Sequence, residues 1–148
     1  MQLLSTNRTV EITLPNLLGY ERVAMACSAS FAQLYGLSPE RIEDLKTIVA
    51  EAATNAIQHG NGGRTEAYVV IRFELAADAI RVTVTDEGQG FENTMKDPDI
   101  ERIINELDAP VGFGLFLIRK LADDVAYKRL PEGGHQVEMQ IAMQPYKA

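Results

Sequence analysis

The sequence predicts an α+β fold: a two-layer sandwich, with helices packed on one face of a largely antiparallel or mixed sheet. Three observations carry this expectation. Several short segments alternate apolar and polar residues with the period of a half-buried strand. A parallel sheet covered on both faces would read instead as continuous apolar runs. Between the strand segments lie stretches with helical spacing, so the apolar sheet face and the apolar helix stripes can form one shared core.

The elements follow in order. Val10, Ile12 and Leu14 alternate with Thr9, Glu11 and Thr13, and Pro15-Asn16 closes that strand. Residues 17–36 read as a helix rich in small residues, with Gly36 at its C-terminal cap. Ser38-Pro39-Glu40 reads as N-cap, N1 proline and early acid, which starts a second helix. That helix carries Ile42, Leu45, Ile48, Val49, Ala52, Ala53, Ala56 and Ile57 at helical spacing, and ends in Gly60-Asn61-Gly62-Gly63. Strands follow at 67–75 and 79–86, with a connection short enough for a hairpin.

Residues 91–110 are polar, marked by Asp97-Pro98 and Pro110, and lack a clean period beyond a short turn at Ile100–Leu107. They read as a long mobile loop, and such a loop in a compact domain is usually functional. Gly112–Asp124 reads as a helix with Leu115, Ile118, Leu121 and Ala122 inward. Val125–Leu130 and Gln136–Met143 read as the last strands, joined by Pro131–Gly134.

Composition narrows the function classes. The 148 residues match the ~150 of one domain, so residues 1–148 are read as a single unit. Apolar residues are 46% and charged residues 24%, which is ordinary for a globular protein and unlike a disordered one. No apolar run is long enough to cross a membrane, and the N-terminus lacks a basic region followed by an apolar one. A cytoplasmic location without membrane contact is expected. The net charge of −7 is opposite to that of a nonspecific nucleic-acid binder, so no direct nucleic-acid partner is expected. One cysteine, Cys27, excludes disulfide scaffolds and zinc clusters, and two histidines are too few for a histidine-rich metal site.

Two carboxylates carry the chemistry. Glu51 and Asn55 are four residues apart, so they share a helix face distinct from the apolar stripe. A carboxylate can serve as a general base, and an amide oxygen can ligate a hard metal. On the pair alone, a solvated helix face is the simpler reading. Asp86 continues the alternation of Ile80, Val82 and Val84, which puts a carboxylate on the apolar face. There it needs a partner, and a ligand amino group is one. Otherwise the strand has already ended and Asp86 starts a turn.

Asp86-Glu87-Gly88-Gln89-Gly90 follows the strand, and Gly112-Phe113-Gly114 opens a helix. Glycines let a backbone approach a ligand closely, and a helix N-terminus offers free N–H groups to phosphate. Neither segment is a P-loop, nor is there a dinucleotide-type GxGxxG after a strand. His59, at the end of its helix, reads as a cap or dipole residue.

Taken in order, the motifs are specific. Glu-x3-Asn-x3-His-Gly on a helix precedes a hairpin ending in Asp-x-Gly-x-Gly, then a loop, then Gly-x-Gly at a helix start. This resembles the GHKL ATPase superfamily of gyrase-type ATPases, histidine-kinase catalytic domains and the heat-shock chaperone ATPase. Within it, Glu51-Ala-Ala-Thr-Asn55-Ala-Ile-Gln-His59-Gly60 and Gly112-Phe113-Gly114-Leu115-Phe-Leu-Ile are similar to the stand-alone anti-sigma factor serine/threonine kinases. The resemblance spans nearly the whole chain.

The resemblance implies the Bergerat-type ATP-binding fold, with ATP and Mg2+ as cofactors. It implies Glu51 as general base toward a partner serine, Asn55 as Mg2+ ligand and Asp86 as acceptor for the adenine amino group. It implies Gly88 and Gly90 beside the nucleotide, residues 91–110 as the ATP lid, and Gly112 and Gly114 at the phosphates. His59, Phe113 and Leu115 complete the implied nucleotide set. The implied partners are a sigma factor and a STAS-type anti-sigma factor antagonist that is phosphorylated, in a homodimeric, partner-switching kinase. A nucleotide-loaded switch that does not phosphorylate is the alternative, and the intact Glu51/Asn55 pair speaks against it. A histidine-kinase catalytic domain ranks last, because the chain has no dimerisation helix pair with a phospho-accepting histidine.

Two positions depart from the family pattern. Val111 stands where a further glycine often precedes the second Gly-x-Gly. Gly134-His135-Gln136 stands where Gly-Thr-Thr often supports the adenine site, and His135, Gln136 or water would fill that role. Both bear on nucleotide affinity rather than on fold.

Overall fold

Alternation decides the sheet. In the computed structural model, which describes residues 8–88 and 110–143, every alternating segment is a strand. These are β1 (Thr9–Pro15), β2 (Tyr68–Ala76), β3 (Ala79–Asp86), β4 (Asp124–Arg129) and β5 (His135–Ala142). They form one sheet in the order β1-β2-β3-β5-β4. Each neighbouring pair is antiparallel, so the sheet is wholly antiparallel among the described residues.

One sheet face is apolar. Ile71 and Phe73 of β2, Ile80 and Val82 of β3, and Met139 and Ile141 of β5 have essentially no exposed surface. The other face carries Arg72, Glu74, Arg81, Thr83 and Glu138, and Arg81 sits between Glu74 (3.5 Å) and Glu138 (3.3 Å). Helices cover the apolar face alone. They are α1 (Glu21–Leu34), α2 (Pro39–Asn55) and α3 (Pro110–Leu121). Helix α2 lies between the other two and buries Leu45, Ile48, Val49, Ala52 and Ala53. The Phe31 and Phe73 rings, 5.9 Å apart, tie α1 to β2.

Strands β2, β4 and β5 sit one residue from their expected bounds, and each of the three helices differs by more. Helix α1 starts at Glu21 rather than residue 17, because Gly19 takes a φ of +113° that no helix accommodates. The Glu21 carboxylate then accepts the Gly19 N–H at 2.6 Å. The other end matches expectation. Gly36 has a φ of +78°, and its N–H and that of Leu37 bond back to Gln33 and Ala32 carbonyls, each at 3.2 Å.

The second boundary is at the end of α2. Its start is capped as expected, with Ser38 Oγ accepting the Arg41 N–H at 3.3 Å and Pro39 at N1. The helix then widens into a π-turn over Ala56–Gly60, closed by the Asn61 N–H on the Ala56 carbonyl at 2.8 Å. The third is α3, which begins at Pro110 and ends at Leu121, earlier at both ends than expected. Proline is at home in a first helical turn. The exit is early because the Asp123 N–H already bonds to Gln140 O of β5 at 2.8 Å. The expected mobile loop lies outside the described residues except for Pro110, and the Ile100–Leu107 turn lies wholly outside them.

Candidate active site

The site forms where the C-terminal end of α2, the end of β3, the start of β5 and the first turns of α3 meet. Glu51 and Asn55 stand one turn apart near the end of α2. Gly114 of α3 comes against both: a Cβ built on it would lie 2.5 Å from Glu51 Oε1 and 3.7 Å from Asn55 Nδ2. Only a glycine lets the two helices approach this closely without moving the carboxylate. The first turn of α3, which holds Gly112 and Phe113, directly precedes that contact, and the N–H groups of a first helical turn suit an anion.

Asp86 ends β3 on the apolar face and is only 6% exposed. This agrees with the alternation and excludes a solvated turn. Its Oδ1 accepts the Gly88 N–H at 3.0 Å. Three backbone segments crowd it. A side chain on Gly60 would overlap the Asp86 carboxylate, and one on Gly88 would overlap the Gly60 carbonyl. Gly134, with a φ of +108°, would put a Cβ 2.6 Å from the Asp86 carbonyl oxygen. The β3–β5 register pairs Asp86 with His135 and Thr85 with Gln136. Gln136 Nε2 donates to Thr85 Oγ1 at 3.0 Å on the outer face, so His135 is the residue of the two that faces the site.

Asn55, Gly60, Asp86 and His135 share one cleft. Its walls are apolar, made by Ala52, Ala56, Val84, Leu115, Ile118 and Val137, and its polar groups are Asn55, Asp86, Tyr127 and His135. Counting its open mouth, it holds about 370 Å³ of empty space. An apolar cleft with a buried carboxylate at one point suits a heteroaromatic ring that bears an amino group. His59 lines an adjoining opening, with Gly60, Asn61, Gly62, Arg64, Glu87 and Gly88. Gly90 lies outside the described residues, as does the side chain of Phe113.

Burial shapes the charges. It pushes the Asp86 carboxyl above its usual range, a rise only partly countered by the Gly88 N–H and by His135. His135 is shifted down, again chiefly by burial. Burial also raises Glu51, and it pushes the Tyr127 phenol up to about 12. Of three buried side-chain atoms without a hydrogen-bond partner among the described residues, Arg81 Nε lies on the other sheet face, and the remaining two are Asn55 Nδ2 and the Tyr127 hydroxyl. Both line the cleft. Native structures rarely leave such atoms unpaired, and a bound polar ligand is one way to satisfy them.

A magnesium ion fits the donors present. Mg2+ takes one or two protein oxygens and completes its shell with water and substrate phosphates. The Asn55 amide oxygen, near the end of α2, is such a hard donor. Among the described residues no cluster of three or more His, Cys, Asp or Glu could hold a metal by itself.

Sequence reasoning missed two residues that shape this site, Asn16 and Asn61. Both are buried. Asn61 Oδ1 accepts the Glu87 N–H at 2.7 Å, and its Nδ2 donates to Asn16 Oδ1 at 2.9 Å. In sequence they look like ordinary turn asparagines after Pro15 and within Gly-Asn-Gly-Gly. Tyr127 was also missed, although it follows Val125 by two residues and so shares its face.

Fold and site together define an ATP-binding domain, and the comparisons agree. The histidine kinase-like ATPase domain family matches residues 14–141, and the chain belongs to that family. Its relatives include serine-protein kinases RsbW. That of Oceanobacillus iheyensis is 35% identical over 127 residues, covering 78% of this chain and 76% of the relative. That of Bacillus subtilis is 32% identical over 121 residues, covering 78% and 75%. By this kinship the chain is a serine-protein kinase of the RsbW kind.

Two solved structures share the fold. One holds the RsbU and RsbW domains of a Mycobacterium tuberculosis protein, with a TM-score of 0.67 at 19% identity, over 91% of this chain and 32% of that one. The other is the SiaB–SiaC complex from Pseudomonas aeruginosa, with a TM-score of 0.67 at 12% identity, over 89% of this chain and 88% of that one.

Proposed function

We propose that this kinase holds ATP with its adenine in the apolar cleft, the amino group on Asp86, and the phosphates at the first turn of α3. The observation that carries the reading is one cleft lined by both Asn55 and Asp86, with Gly114 packed against Asn55 and against Glu51 one turn before it. In this reading Gly88, Gly60 and Gly134 let three backbone segments close round the base end. Leu115 contributes an apolar wall, and His59 lies at the adjoining opening. The orphaned Asn55 amide leaves its group available to the nucleotide end.

Glu51 is the general base. It takes the proton of a partner serine hydroxyl as that oxygen bonds to the γ-phosphorus and the bond to the β-phosphate oxygen breaks, leaving phosphoserine and ADP. Its half-buried position raises its pKa toward the working pH, which favours a base. Asn55 would hold Mg2+, which when bound neutralises charge on the transferring phosphates.

The partners follow from the kinship. The kinase sequesters a sigma factor, and a STAS-type antagonist competes for it and is phosphorylated on serine. The added phosphate carries about −1.5 to −2 charge at pH 7. Against a chain of net charge −7, it weakens the complex and returns the kinase to sigma. The fold neighbour SiaB was solved with a second protein, SiaC, which accords with partner binding. A homodimer in the cytoplasm completes the proposal. Wild-type protein should transfer labelled γ-phosphate from ATP to the serine of a STAS-type antagonist of its own organism. Absence of transfer with ATP bound would replace the kinase by a nucleotide-loaded switch.

A further inference from the structure

The end of β3 does not hold its own shape. Asp86, Glu87 and Gly88 leave the sheet together, and Glu87 lies between the carboxylate and the N–H that it accepts. What fixes Glu87 comes from elsewhere. Its N–H donates to Asn61 Oδ1 at 2.7 Å. Asn61 has only 1% of its surface exposed, and both of its polar atoms are used. Its Nδ2 donates to Asn16 Oδ1 (2.9 Å) and to the Tyr68 carbonyl (3.1 Å). Asn16 in turn donates to the Arg64 carbonyl at 3.0 Å and the Ile57 carbonyl at 3.4 Å. The two amides thus clasp the end of β1, the π-turn, the start of β2 and the exit of β3.

We propose that Asn61, backed by Asn16, is a positioning residue for nucleotide binding: it holds Glu87 so that the Asp86 carboxylate is presented to the base. The proposal rests on reading Asp86 as the acceptor for adenine. Two further contacts give the clasp its leverage. Gly88 meets the Gly60 carbonyl, and Gly60 meets the Asp86 carboxylate, so a shift of the β3 exit is passed on to that carboxylate. Buried amide pairs of this kind rigidify a local structure only when every member is satisfied, as here.

A clasp that acts through Asp86 has a signature that mere loop stability lacks. Asn61→Ala should weaken ATP binding about tenfold by calorimetry, the effect of one or two buried hydrogen bonds. In an Asp86→Ala background the same change should weaken it less than about twofold, because the group being positioned is gone. Asn16→Ala leaves the Asn61–Glu87 bond in place and provides a second route should Asn61→Ala unfold. It should cost less than Asn61→Ala and also lose its effect when Asp86 is absent. A purely structural role would lower the unfolding midpoint equally in both backgrounds and leave ATP affinity unchanged, which overturns the proposal. So would a full tenfold loss that persists without Asp86. If Asp86→Ala alone leaves ATP binding intact, the adenine reading falls, and the proposal falls with it.

Discussion

Gly114 of α3 stands so close to Glu51 of α2 that a Cβ in its place would lie 2.5 Å from Oε1. The obstacle is the far end of a flexible side chain, while Asn55 Nδ2 at 3.7 Å is in ordinary contact. Gly114→Ala should therefore fold, with a helix-propensity gain of about 0.5–1 kcal/mol. It should displace Glu51 and leave Asn55 where it is. A displacement of ~1 Å can cost 10²-fold in rate. Phosphate transfer should fall by about that factor with ATP affinity little changed, measured by single-turnover kinetics beside calorimetry.

Gly88→Ala should fail differently. Its Cβ would overlap the Gly60 carbonyl, which is backbone and cannot swing aside. Overpacking of this kind costs roughly 1–3 kcal/mol. Thermal unfolding should show a lower midpoint for Gly88→Ala and none of that loss for Gly114→Ala.

Asp86→Asn should separate stability from function. Burial raises the Asp86 pKa in the folded chain, so the ionised form is held against its preference at neutral pH. That penalty is absent below the unfolded pKa and grows as pH rises through the folded one. The neutral amide removes it, so the midpoint at pH 7 should rise. ATP affinity should fall about tenfold to a hundredfold, since a hydrogen bond to a charged group contributes ~1.5–3 kcal/mol. A stabilised variant with unchanged affinity would remove Asp86 from the site.

The rate should also report Glu51. Burial raises its carboxyl, and a base must be ionised to act. Transfer is then full above that raised pKa and lost as pH falls through it. The acid limb of kcat/KM should lie above the ~4.3 of an unperturbed glutamate. A limb at or below that value would argue that Glu51 is not the base.

Much of this was legible in the residues. Period-2 alternation located every strand and carried Asp86 onto the buried face, because the pleat leaves a strand residue only two choices. The same logic applied to Val137, Met139 and Ile141 puts His135 rather than Gln136 on the site face, as observed. Leu17 and Leu18 misled: they extended the first helix on paper, yet they are exposed and precede a glycine that breaks it. The π-turn was not legible, since moving a hydrogen bond by one residue leaves no mark on composition. Nor was the Asn16–Asn61 clasp, which joins residues 45 apart through side chains that elsewhere serve local turns.

The central claim is that Glu51 performs chemistry at a site it does not help to bind. Glu51→Gln keeps size and hydrogen-bonding reach but loses the base. The deciding measurement is transfer of labelled γ-phosphate to the antagonist serine by Glu51→Gln and wild type, with ATP affinity measured on the same samples. The account predicts unchanged ATP binding and retained sigma-factor binding, with transfer reduced by about 10²–10⁴-fold. Transfer at the wild-type rate would contradict it, and Glu51 would be no more than a solvated residue on the face of α2.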